Sequence, residues 1–145
     1  MEPELVEKYV EDGTLKIEWQ DFPYQGEESV NAALAARAAG EQSKFWEYHD
    51  LLYENQGSGN SGAFSDDKLS GFARELGLDM ERFESDLGSE EISAVVQEDF
   101  EAGQSAGISG TPTFEVNGQR LVGFQSVEAF ESIIEEEAAK AQDAS

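Results

Sequence analysis

The sequence predicts an α/β domain in which a small sheet is interrupted by a wholly helical insertion. Three observations carry that prediction. Residues 15–22 alternate apolar and polar, which is strand periodicity. Two further short apolar runs flank Asn117-Gly118, the strongest short hairpin signal. Between these strand signals, residues 27–106 carry helical spacing and helix caps, with no alternating run.

Each element has its own signal. Pro3 suits the first turn of a helix, where its missing N–H costs nothing. Leu5, Val6, Tyr9 and Val10 follow as an apolar stripe, and Gly13 stops it. In the first strand Leu15, Ile17 and Trp19 share a face, and Pro23 ends the run. Residues 27–39 are Ala-rich, with Gly40 at the expected C-cap. Residues 42–56 align Phe45, His49 and Leu52 on a helix. The glycines and serines of 57–62 read as a flexible loop, too short to separate domains. Ser65 caps the next helix (Leu69, Phe72, Leu76), Asp79 another (Met80, Phe83, Leu87), and Ser89 a third (Ile92, Val95, Val96, Phe100). The runs 113–116 and 119–124 pair across Asn117-Gly118. Ser126 caps a last helix bearing Val127, Phe130, Ile133 and Ile134, and the charged tail 135–145 is expected to fray.

Composition narrows the function classes. The 145 residues suit one domain, spanning 1–145. Asp and Glu number 32 against 9 Lys and Arg, for a net charge of −23, and there is no cysteine. Structural disulfides, Cys-ligated zinc and iron–sulfur clusters are therefore excluded. Nucleic acid is not an expected partner, because phosphate binding needs a basic footprint. No apolar run approaches the ~20 residues of a membrane-spanning helix, and the acidic start is unlike a signal peptide. Nine Phe, four Tyr and two Trp argue against disorder. An acidic excess with so little lysine resembles proteins of salt-accumulating halophiles, whose self-repulsion salt screens.

Three segments together resemble a known family. They are Asp21-Phe22-Pro23; the run 40–53 with Phe45-Trp46-Glu47-Tyr48-His49-Asp50-Leu51-Leu52-Tyr53; and the run 107–118 with Gly110-Thr111-Pro112-Thr113-Phe114 and Asn117-Gly118. In this order and spacing they resemble DsbA-like thiol–disulfide oxidoreductases, which have a thioredoxin fold with a helical insertion, here 27–106. The resemblance implies a cis Thr111–Pro112 bond, with Gly110, Thr111 and Pro112 binding an extended polypeptide substrate. No cofactor is implied.

The family places a Cys-x-x-Cys motif after its first core strand, at the start of the first helix. This chain begins inside that helix and has no cysteine, so it is expected to be an N-terminally truncated member. It would lack the first core strand and all catalytic residues, and be inactive as given. The lost strand would lie between 15–22 and 113–116, leaving two open edges and favouring a symmetric dimer or strand-exchanged assembly. Family members usually act outside the cytoplasm, where disulfides persist. The alternatives are a glutathione-linked isomerase on the same fold, and a cysteine-less module that holds extended peptides.

Other residues have plainer readings. His49, the single histidine, shares a face with Phe45 and Leu52 and reads as a packed core or boundary residue. One His without Cys makes no transition-metal site. Trp46 and Tyr53, spaced i and i+7, read as packing within the insertion. Glu18 and Asp21 stand where a proton-transfer group could assist a thiol, although solvated strand carboxylates are the plainer expectation. Glu135-Glu136-Glu137 reads as a solvated helix face without calcium-loop spacing. The 57–62 loop lacks the Gly-Lys-Ser/Thr of a phosphate loop.

Overall fold

In the computed structural model, which describes residues 2–144, an alanine-rich helix organises the larger of two compact units, residues 20–105. This helix, α2 (Glu27–Gly40), is followed by α3 (Phe45–Asn55), α4 (Asp66–Glu75), α5 (Met80–Leu87) and α6 (Glu90–Ser105). It touches all four. Ala35, Ala38 and Ala39 are fully buried, and their small side chains let neighbouring helices approach on several sides. Around them pack Leu69, Leu78, Phe83 and Ile92. Tyr48 is buried beside Phe83, with ring centroids 6.0 Å apart, and its hydroxyl donates to the Leu69 carbonyl at 2.8 Å. Burial pushes the Tyr48 phenol well above its ordinary pKa.

The helix ends explain the boundaries. The Asp79 side chain accepts the Arg82 N–H at 3.1 Å and caps α5. Gln42 holds the same residue, accepting from its N–H at 2.8 Å and donating to its carbonyl at 3.0 Å. At α2 the N-cap is Gly26, with φ +94° and no side chain to offer. The missing acceptor comes from the 57–62 loop, where Asn60 Oδ1 accepts the Glu28 N–H at 3.3 Å. Glu28 in return accepts from the Gly62 N–H at 2.8 Å and the Phe64 N–H at 3.3 Å. The expected flexible loop is thus tied to the start of α2. Gly40 is not a C-cap: the helix runs through it, and the left-handed residue is Ser43, φ +60°, with the Lys44 N–H returning to the Ala39 carbonyl at 3.0 Å.

The smaller unit comprises residues 1–19 and 106–145. Helix α1 (Glu2–Leu5) widens into a π-helical turn at Val6–Val10. Strands β1 (Thr113–Val116) and β2 (Gln119–Val122) form an antiparallel hairpin in which Phe114 faces Leu121 and Glu115 faces Arg120. Asn117 and Gly118 both have positive φ, 47° and 90°, the signature of a type I′ turn. One hairpin face, Phe114, Val116 and Leu121, packs on Leu5, Tyr9, Phe130 and Ile134. The last two belong to α7 (Val127–Asp143), capped by the Ser126 side chain. The tail does not fray where expected. The helix continues to Asp143 because Lys140 bridges Glu136 and Glu137 at 2.6 and 2.8 Å, and Gln119 bonds Glu137.

One expected strand is absent. Residues 15–22 form no ladder, and the sheet among the described residues has two strands. The alternation itself survives, with Leu15, Ile17 and Trp19 half-buried between exposed Lys16, Glu18 and Gln20. A strand is completed by a hydrogen-bonded neighbour, however, and the periodicity does not supply one.

Candidate functional site

The candidate site is the loop that feeds β1. Gly110, Thr111 and Pro112 precede the strand, and the Thr111–Pro112 peptide bond is cis. The loop is braced from three directions. The Pro112 carbonyl accepts the Gly123 N–H at 2.8 Å, extending the hairpin pairing by one residue. Thr113 Oγ1 donates to the Gly110 carbonyl at 2.8 Å. Arg120 Nη1 donates to the Ala106 carbonyl at 2.7 Å, fixing the chain that leads into the loop. Gly107 and Gly123 both hold φ +76°, a conformation that costs other residues steric strain.

Within this brace Thr111 is exposed, and its backbone N–H and carbonyl have no hydrogen-bond partner among the described residues. It lies two residues before β1, whose second edge pairs with no strand among the described residues. Exposed, unpaired backbone beside an open edge can accept a polypeptide by main-chain hydrogen bonding. Apolar surface lies next to it: Val122 is 65% and Phe124 75% exposed. Across the strands Arg120 lies 3.7 Å from Glu115.

The remaining candidates fall elsewhere. Asp21 is not a solvated carboxylate. It is 3% exposed and accepts Arg37 Nε at 2.6 Å. Arg37 Nη2 reaches Asp99 at 2.8 Å, and the same Asp99 oxygen accepts the Asp21 N–H at 3.0 Å. The alternation of residues 15–22 gives no sign of this largely buried triad. Its one visible signal is a single arginine inside the Ala35-Ala36-Arg37-Ala38-Ala39 run, because a cation on a buried helix face requires acceptors. Glu18 is exposed and pairs with Lys16, whose ammonium lowers its pKa.

His49 is 5% exposed. Its ring lies 5.4 Å from Trp46 and 4.6 Å from Tyr53, and its Nδ1 lies 3.0 Å from Asp50. Trp46 and Tyr53 are not core residues, being 40% and 47% exposed. Tyr48 and Leu52 take the buried side of α3, and a 3.6-residue period turns positions 46 and 53 away from it. Glu135 and Glu137 are engaged rather than merely solvated. Tyr9 donates to Glu135 at 2.7 Å, Lys140 and Gln119 bond Glu137, and these bonds lower both carboxyl pKa values. Among the described residues no group of three or more His, Asp or Glu is arranged to hold a metal. Among those residues, too, no helix is long and apolar enough to cross a membrane.

Comparison with known proteins adds context. A family model described as thioredoxin matches residues 1–136. The chain is 34% identical over 135 residues to a protein named Na(+)/H(+) antiporter NhaA 1 of Salinispora arenicola, covering 92% of this chain and 20% of that one. It is 32% identical over 120 residues to the probable disulfide bond formation protein D of Bacillus cereus, covering 80% of this chain and 56% of that one. The oxidised BdbD structure from Bacillus subtilis superposes with a TM-score of 0.83 at 24% identity, covering 94% of this chain and 76% of that one. The chain thus spans a fifth of the first relative and just over half of the second.

Proposed function

We infer the function from one premise: this chain belongs to the thioredoxin family, and its fold is that of the DsbA-like thiol–disulfide oxidoreductases. We propose that it is the polypeptide-holding part of such an oxidoreductase, with Gly110, Thr111 and Pro112 as the substrate-binding loop and residues 27–106 as an insertion in the fold. The observation that carries this is the exposed Thr111 backbone, presented by a braced cis-proline loop at an open strand edge. An extended client would pair with Thr111 through its main chain and lay apolar side chains against Phe124. Disulfide exchange requires a thiolate that attacks a substrate sulfur through a mixed disulfide. The 145 residues contain no cysteine, so we assign the chain no exchange activity of its own.

Two measurements test this. Titration with an extended, disulfide-free peptide should shift the amide signals of Gly110, Thr111 and Thr113, and silence there sinks the binding role. In an insulin-reduction assay the chain should match the buffer, and any catalysed reduction overturns the inactivity.

The open edges favour a second reading, on assembly. We propose that two copies associate through the free edge of β1, in a symmetric pairing. Light scattering in molar salt checks it, and a mass equal to the 15.9 kDa chain refutes it. We further propose that the charge of −23 is adaptation to a saline solvent. Recurrence of most of the chain inside an antiporter-named relative supports placement beside a membrane, on the side where disulfides persist.

A further inference from the structure

Helix α3 carries a surface that the cis-proline loop does not use. Trp46, Asp50 and Tyr53 are spaced i, i+4 and i+7, so they line one stripe of the helix. Both rings are about half exposed, at 40% and 47%. The Asp50 side chain between them is 70% exposed, with one oxygen at 3.0 Å from His49 Nδ1. The His49 ring packs between the two aromatics and is itself buried, so it fixes their orientation. Glu54 follows on the same flank and is exposed. The stripe therefore reads ring, carboxylate, ring, and residues 45–55 contain no lysine or arginine. The nearest cation in sequence, Lys44, pairs with Glu47 at 3.2 Å.

We propose that this stripe docks an arginine-bearing segment of a partner protein. A guanidinium is flat and weakly hydrated; it stacks on the negative face of an aromatic ring and presents paired donors to a carboxylate. Lysine offers only a point charge to such a site. The chain's −23 charge steers cationic partners toward it and repels anionic lipid headgroups and nucleic acid. The aromatic pair localises the contact, which uniform acidity does not.

The test is a titration of the intact chain with a short peptide bearing two arginines, in molar KCl. There the screening length falls to about 3 Å and diffuse attraction is suppressed. The expected result is a shift of the Trp46 indole N–H signal, assigned against Trp19 by Trp46→Phe, together with shifts at Asp50 and Tyr53. Asp50→Asn should weaken the affinity by about tenfold, and Trp46→Ala by about two- to fivefold. Replacing the arginines by lysine should weaken it, and replacing them by norleucine should abolish it. Glu84→Gln removes the same charge from an exposed position on α5 and should change nothing. The proposal is overturned if Glu84→Gln weakens binding as much as Asp50→Asn. It is equally overturned if the shifts spread evenly over the acidic helices, or if neutral or anionic vesicles move the Trp46 signal as the peptide does. Because Asp50→Asn keeps the side-chain shape, unchanged binding in that variant refutes the site without any question of misfolding.

Discussion

Replacing Arg37 by methionine removes the cation from the buried triad while keeping much of its aliphatic volume. Asp21, whose side chain is 2% exposed, then loses the cationic Nε contact at 2.6 Å. Asp99 loses its own at 2.8 Å while remaining 18% exposed. The two carboxylates are linked through the Asp21 N–H to Asp99 bond at 3.0 Å, so both are left facing a shared acidic site. Breaking a buried pair by deleting one partner costs about 3–5 kcal/mol. Arg37 retains 25% exposure, so water can relieve part of the loss and the value should fall near the bottom of that range, about 3 kcal/mol. For a chain of this size that corresponds to a drop in melting temperature of roughly 6–12 °C. The assay is thermal unfolding followed by circular dichroism in molar KCl, with Asp21→Asn added to Arg37→Met as the second arm. The double variant should recover at least half of the loss, because a neutral amide no longer needs the cation and can donate to Asp99. If Arg37→Met costs less than about 1 kcal/mol, the triad is solvated like a surface ion pair and the reasoning fails. If Asp21→Asn recovers nothing, the cost comes from lost packing against Phe45 and not from the stranded carboxylate.

Other expectations follow from the same structure. The melting temperature should climb steeply from low salt to molar KCl, because a net charge of −23 repels itself until screened; a flat profile refutes the solvent-adaptation reading. Tyr48→Phe should cost about 1 kcal/mol, since it removes the buried phenol's hydrogen bond to the Leu69 carbonyl. The same phenol has a raised folded-state pKa. Its contribution is therefore complete below the ordinary phenol value of about 10 and lost as pH rises above it. Wild-type stability should fall relative to Tyr48→Phe in alkaline denaturation curves, and parallel curves contradict this. Asn60→Ala should destabilise by about 1 kcal/mol through loss of the remote cap on α2, with faster proteolysis inside 57–62. Equal cleavage rates would show that the loop is not held there.

Much of the architecture was legible because its causes are local. Asp79 and Ser126 cap the helices they precede, and Asn117-Gly118 makes the hairpin turn with both residues at positive φ. The loop at Gly110, Thr111 and Pro112 was visible only through resemblance, since a Thr-Pro pair carries no signal for its isomer. What could not be read depends on distant partners. The alternation in 15–22 is real, yet a ladder needs a neighbour that periodicity does not identify. The Asp21–Arg37–Asp99 triad joins residues from three separate stretches of chain. Trp46 and Tyr53 look like core residues by type, and the rotation of α3 about its axis, set by which side α2 and α4 cover, places them outside.

The smaller unit is stitched from both ends of the chain. Lys8 meets Glu131 at 2.8 Å, a pairing of residues 123 positions apart, and Tyr9 meets Glu135 across 126. The helical unit is one uninterrupted stretch, 20–105. On a ribosome, where residues emerge in order at about 5–20 per second, the helical unit can close its own core as soon as it clears the exit tunnel. The first helix must meanwhile wait, its Leu5 and Tyr9 uncovered, until α7 has been made. A stalled or prematurely ended translation product would therefore carry a finished helical bundle and, N-terminal to it, an uncovered apolar turn, the kind of surface that chaperones hold.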